Sequence, residues 1–260
     1  MALHPARGMA DSNSNALKHP QHPGLPPLIP GIYNYCDSRC AKCRFSQRCL
    51  SHLARERFEA DDSDRDVIGE ILREREGEPR EPPEEFLQIV FEANAAVEAM
   101  TAEEAEEIGR EHDALVERAN ADRFVVASHN YAMTCWNITQ ALEPIVLERG
   151  DPVVIEAVET IAELAGIVSS KTFRAVSGSM EEDYEASDLE HDALGSAKVA
   201  RLAIAESQRA WTVLMEIGRA TADGVPASLL RVLEEIDAGL TARFPRAMAF
   251  VRPGFDTEGG

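Results

Sequence analysis

Residues 151–176 read DPVVIEAVETIAELAGIVSSKTFRAV, and the fold turns on this stretch. Asp151 is a good helix cap, and Pro152 suits the first helical position, where its missing N–H is not needed. Val154, Val158, Ile161, Ala165 and Val168 then recur at steps of three and four. That spacing lines them up on one face of a helix running to about Val176, and so apolar a face must be covered by other helices.

The same period recurs on both sides. PPEEFLQIVFEANAAVEAM (82–100) sets Phe86, Val90, Ala93, Val97 and Met100 in one stripe, expected to be buried. Thr101 with Glu104 has capping-box spacing and starts another helix. EHDALVERANADRFVVASHNYAMTCWNITQALE (111–143) is expected to stay helical to Glu143, where Pro144 stops it. Ser187 opens a long helix through GSAKVARLAIAESQRAWTVLMEIG (195–218), and Val225–Pro226 starts a last one ending near Phe244. Only MAFVRP (248–253) hints weakly at a strand. EHDAL occurs at both 111–115 and 190–194, but the flanks do not match and no internal repeat is inferred.

The expectation is an all-α fold, a helical bundle of about five main helices preceded by a Cys-rich arm. Residues 1–30, rich in Pro, Asn, Ser and Gly, read as a disordered or loosely docked tail in which His4, His19 and His22 are incidental. Residues 31–50 are the four-Cys metal-binding segment, and 51–83 are short helices with an acidic loop. Residues 84–245 are the bundle and 246–260 a C-terminal tail.

The 260 residues carry a formal net charge of −20. A field of that sign repels polyanions, so neither nucleic acid nor an anionic membrane is expected as a partner. No apolar run approaches the roughly 18–20 residues that span a bilayer. No basic-then-apolar leader is visible, which points to the cytoplasm. Thiols stay reduced there, and clustered cysteines are more often metal ligands than disulfide partners.

Four of the five cysteines, Cys36, Cys40, Cys43 and Cys49, fall in IYNYCDSRCAKCRFSQRC (32–49) with the spacing Cys-x3-Cys-x2-Cys-x5-Cys. Short spacers let one turn-rich loop bring four thiolates to a common point. Structural zinc usually takes two Cys pairs separated by a longer stretch, and no such spacer is present. Iron–sulfur clusters take four thiolates, often from one compact run. The first expectation is therefore a [4Fe–4S] cluster on these four cysteines, with zinc as the alternative. Arg39, Lys42, Arg44 and Arg48 surround them. These cations offset the negative charge of a thiolate–metal centre, or form a docking patch for a redox or protein partner. Tyr33, Tyr35 and Phe45 are expected to pack the arm on the bundle.

The run Cys40, Cys43 and Cys49 resembles the cluster-binding motif of RecB-like and CRISPR-associated nucleases. Cys36, Cys40 and Cys43 have the spacing of radical S-adenosylmethionine enzymes. The chain departs from both: it has neither the strand-borne acidic motif and basic surface of the nucleases nor a β/α barrel. Only the ligand chemistry is carried over. Across residues 31 to about 256 the chain also resembles a family of bacterial hypothetical proteins without an established activity. IYNYCDSRCAKCRFSQRCL (32–50), GSAKVARLAIAESQRAW (195–211) and ARFPRAMAFVRPGFD (242–256) carry that resemblance, which implies a compact cysteine motif attached to a helical domain.

Polar residues interrupt two apolar stripes. Leu115, Ala119, Asp122, Val126, His129, Met133 and Trp136 form one, with Asp122 and His129 about 10 Å apart along the axis. Val199, Ala203, Glu206, Ala210, Val213 and Ile217 form the other. Lys171, Arg174, Lys198 or His129 could partner the buried carboxylates. The ordinary reading is a satisfied polar network; the functional ones are a ligand pocket or active site around Asp122, His129 and Glu206 with Lys171 and Lys198, or a metal site on these groups. No Glu-x-x-His is present, the nearest pattern being Asp188-x-x-His191, so the ferritin-like di-iron scheme is not expected. Cys135, beside Trp136, reads as a small core residue.

The leading function is thus a metal-binding helical protein for electron transfer, redox sensing or an associated oxidoreductase reaction. A zinc-stapled interaction protein without catalysis is the alternative, and a bundle enzyme using the Asp122–His129–Glu206 pocket is a third.

Overall fold

A computed structural model of the chain describes residues 24–60, 66–77, 84–181, 184, 188–216 and 225–257. Its α-helices are α1 (Leu50–Ala60), α2 (Val67–Glu76), α3 (Glu84–Ala99), α4 (Ala102–Asn120), α5 (Arg123–Arg149), α6 (Pro152–Gly178), α7 (Asp188–Glu216) and α8 (Val225–Arg243). Single-turn 3-10 helices punctuate the loops, and there is no strand among the described residues, so MAFVRP is not one.

The all-α class is as expected, but the count of main helices is not. Six long helices stand in place of about five, because 111–143 is broken at Ala121–Asp122. There the Asp122 carboxylate accepts from the Phe124 N–H at 2.9 Å and caps a new helix. Nor does Pro144 stop α5, which continues to Arg149 and ends on Gly150 in the left-handed conformation. An interior proline costs about 3 kcal/mol. Burial of Leu142 and Val146 in the main core, either side of it, offsets that cost.

Four helices close into a ring. Each of α5, α6, α7 and α8 packs on the helix before or after it, and α8 returns against α5. The expected face of α6 is buried throughout, from Val154 to Val168, and Asp151 caps it by accepting from the Val153 N–H at 3.1 Å. Thr101 and Glu104 form both halves of the capping box at the start of α4.

On α5, however, the inward face is Val125, Ser128, Tyr131, Cys135 and Leu142. The expected stripe points out: Met133 and Trp136 are exposed, as is His129. The new cap at Asp122 restarts the helical phase, so a stripe cannot be carried across from Leu115 and Ala119. Tyr131 also needs a polar partner inside, and the Trp211 indole N–H donates to its hydroxyl at 3.2 Å. Cys135 is a fully buried core residue, with its thiol pushed up to about 12 by burial.

The stripe on α3 is likewise open: Val90, Val97 and Met100 are exposed, with Phe91 beside them at 74 %. The Phe86 side chain lies outside the described residues. Periodicity reports that a helix has an apolar face, but not that the same chain covers it.

Residues 24–30 are docked rather than loose, while residues 1–23, with His4, His19 and His22, lie outside the described residues. Ile29 is buried, the Arg75 guanidinium donates to the Pro26 carbonyl at 2.9 Å, and Arg48 donates to that of Pro27 at 2.9 Å.

The arm then lies on α7. After its first turn that helix carries the small buried residues Ala193, Gly195, Ser196 and Ala197, and Tyr35 and Phe250 meet at Gly195 with ring centroids 4.7 Å apart. A Cβ at Gly195 would lie 2.3 Å from the flank of the Tyr35 ring and 2.9 Å from that of Phe250. Gly195→Ala is therefore expected to lower stability by about 1–3 kcal/mol through overpacking, despite better helix propensity. Gly166→Ala on α6, with open space around it, is expected to raise stability by up to about 1 kcal/mol. Urea unfolding of both variants checks this; a stabilised Gly195→Ala protein would mean that the arm does not seat there.

Candidate metal centre

Three consecutive 3-10 turns and the start of α1 carry the cysteines. Cys36 follows the turn Ile32–Tyr35, Cys40 opens the turn Cys40–Lys42, Cys43 ends it, and Cys49 lies between Ser46–Arg48 and α1. Ser38 adopts a positive φ of 59°, which bends the chain between Cys36 and Cys40. All four side chains line one cavity of about 20 Å³, together with Asp37, Arg39, His52 and Phe255. That volume holds about one water-sized atom.

The sulfur atoms are held individually. The Phe45 N–H donates to Cys43 Sγ at 3.4 Å. Cys49 stands where a helix cap would, and the N–H groups of His52 and Ser51 point at its sulfur. Burial nevertheless pushes both thiols above their ordinary range, and the neighbouring Cys36 and Cys40 add to it. The four groups are thus near enough to affect one another, and a metal would have to displace protons from at least these two. Cys36 Sγ donates to the Tyr33 carbonyl at 3.5 Å. Among the described residues, no three His, Cys, Asp or Glu side chains stand in a ready-made metal-ligating arrangement.

Two of the surrounding cations, Arg39 and Lys42, are engaged with the bundle. Arg39 forks onto both oxygens of Glu206 at 2.6 and 2.8 Å and also bonds Asp37. Lys42 meets Glu163 at 3.1 Å and Glu159 at 3.6 Å. Arg44 lies over the Phe45 ring, 4.6 Å from its centroid. From α6, the Lys171 amine donates to the Asn34 carbonyl at 2.6 Å. Burial and then Arg174 push that amine below its ordinary value, while Cys36 and Asp192 pull it back.

The C-terminal segment completes the cavity. Phe255 stands edge-on to Phe45 with centroids 5.3 Å apart, in an apolar cluster of Ile29, Ile32, Phe45 and Cys49. Gly254 has a φ of 77°, and a Cβ there would come within 2.9 Å of Ile32. The nearly buried Lys198 donates to the Phe250 carbonyl at 2.6 Å and to Asp256 at 2.7 Å. Burial opposes charge on Asp256, but the bonds from Arg252 and Lys198 outweigh it and hold the carboxyl well below the usual range.

The structure does not gather the other expected pocket. Asp122 pairs with Arg243 at 2.9 Å and caps α5, Glu206 is taken by Arg39, Lys171 by the arm, Lys198 by the C-terminal segment, and His129 faces solvent. Arg174 pairs with Asp192. The carboxylates thus have partners other than those expected from the sequence, because the sequence does not reveal where the arm and the tail cross the bundle. Phe255 and His52 join the site without a metal-ligand or catalytic motif in the sequence to mark them. The PGF turn at 253–255 was the one available signal for Phe255.

Glu206→Gln is expected to leave thermal unfolding of the bundle nearly unchanged while raising amide exchange across residues 31–49; unchanged exchange would show that the fork does not hold the arm. Because Asp256 is more acidic folded than unfolded, its contribution is full above about pH 4–5 and falls as acid titrates it. Proteolysis within 247–257 should therefore rise below about pH 4, and a flat profile down to acid pH would argue against a latch in which Lys198 and Arg252 hold the segment through Asp256. Compared with protein-family models, curated proteins and solved structures, the chain matches none.

Proposed function

We propose that Cys36, Cys40, Cys43 and Cys49 ligate a metal centre, in the first reading a [4Fe–4S] cluster, and that the protein serves electron transfer, redox sensing or an associated oxidoreductase reaction. The observation that carries this is the shared cavity: four cysteines from successive turns are among the residues that line one space. A compact ligand run without a second knuckle supports a cluster over zinc.

Such a cluster, when bound, takes up and returns electrons. The chain supplies the rest. Four thiolates would ligate it, which requires Cys36 to leave the Tyr33 carbonyl. The N–H groups aimed at Cys43 and Cys49 favour the thiolate and tune the potential. Lys171 and Arg39 offset its negative charge, and Ile32, Phe45 and Phe255 keep water from its apolar side. A reducing compartment such as the cytoplasm suits these thiols. A redox or protein partner at the arm belongs to the same reading.

One observation favours the second reading, a zinc staple without catalysis. At about 20 Å³ the cavity suits one ion better than a multinuclear core. Zinc in that role would clamp the arm and need no partner.

Anaerobic purification followed by metal and sulfide analysis separates the two. Brown protein with broad visible absorption, iron and acid-labile sulfide supports the cluster, and colourless protein with one tightly held zinc supports the staple. Cys43→Ala is expected to lose the metal in either case. A full metal complement in that variant overturns the ligand assignment, and wild-type protein that binds neither metal overturns both readings.

A further inference from the structure

We infer that segment 250–257 closes the four-cysteine cavity, with Phe255 as the residue that covers the Cys43 and Cys49 thiols. The inference rests on the metal-site reading for its purpose, but its geometry stands independently. Phe255 lines the same cavity as the four cysteines and packs with Cys43 and Cys49 in one apolar cluster. Nothing local in the sequence demands this, since more than two hundred residues separate them.

Three restraints hold the ring in place. Gly254 lets the backbone approach Ile29 and Ile32 more closely than a side chain would permit. Lys198 ties both ends of the segment, the Phe250 carbonyl and the Asp256 carboxylate, to α7. Arg252 bonds Asp256 across the turn and lies over the Phe255 ring, 5.0 Å from its centroid. A ring so fixed covers the apolar side of Cys43 and Cys49. Opening of this segment would be a local event, distinct from unfolding of the bundle, that speeds exchange of a metal centre.

The test reads each cysteine separately. In reduced, metal-free full-length protein, alkylation by iodoacetamide is followed site by site by mass spectrometry, with the core residue Cys135 as internal control. Phe255→Ala is expected to speed modification of Cys43 and Cys49 by about tenfold or more, as loss of a local closing interaction should. Cys135 should be unchanged, and Phe255→Leu should stay near wild type. In metal-loaded protein, Phe255→Ala should release metal to EDTA faster by a similar factor.

Unchanged rates at Cys43 and Cys49 overturn the inference. Equal acceleration at Cys135 also overturns it, because Phe255 then only stabilises the fold. If Phe255→Ala does not fold, Asp256→Asn carries the same expectations through the latch. If wild-type protein binds no metal, the metal reading fails while the alkylation result still decides whether the cover exists.

Discussion

The seating of Tyr35 and Phe250 on Gly195 is the constraint on which the upper layer of this protein depends. α7 can receive both rings so closely because Gly195 has no Cβ at the point where they meet it. The two rings belong to segments from opposite ends of the chain, and each continues into the cysteine site. Tyr35 leads directly into Cys36, and Phe250 leads through one turn to Phe255. A larger residue at position 195 would displace both walls of the cavity at once. Segments 32–50, 195–211 and 242–256, far apart in sequence, therefore form one structural unit.

Electrostatics then locks what packing allows. Lysine is scarce, at four residues, and Lys18 lies outside the described residues. Each of the other three clamps the arm or the C-terminal segment to the bundle. They do not contribute equally. Lys42 is half exposed against half-exposed carboxylates, and such pairs contribute about 0–1 kcal/mol. Lys198 is nearly buried, and losing one partner of a buried charged pair is far more damaging than the net worth of the pair suggests. The Arg39 fork on Glu206 lies between these cases, with two parallel bonds that fix direction as well as distance. The cations near the cysteines thus serve attachment first, and any effect on a bound metal comes through the positions they hold.

Local signals are legible in the sequence. The cap at Asp151, the capping box at Thr101 and the buried face of α6 need only a few neighbouring residues. Outcomes that depend on remote partners are not legible there. Asp122 looked like an inward polar residue but is a cap, because it breaks the helix that the apolar period seemed to continue. Trp136 looked like core and points out, since the smaller Cys135 and the hydrogen-bonding Tyr131 fit the facing helix better. Glu206 looked like half of an internal pocket and instead meets the arm.

By itself the sequence determined the helical class, most helix starts, and four thiols confined to one short run, because helical period, capping and Cys spacing act over distances of a few residues. The tertiary structure alone decided which faces are buried, that the arm and the tail meet over α7, and that Phe255 joins the cysteines around one cavity. Those outcomes depend on which surfaces remain free once the four-helix ring has closed, and no stretch of the chain carries that information alone.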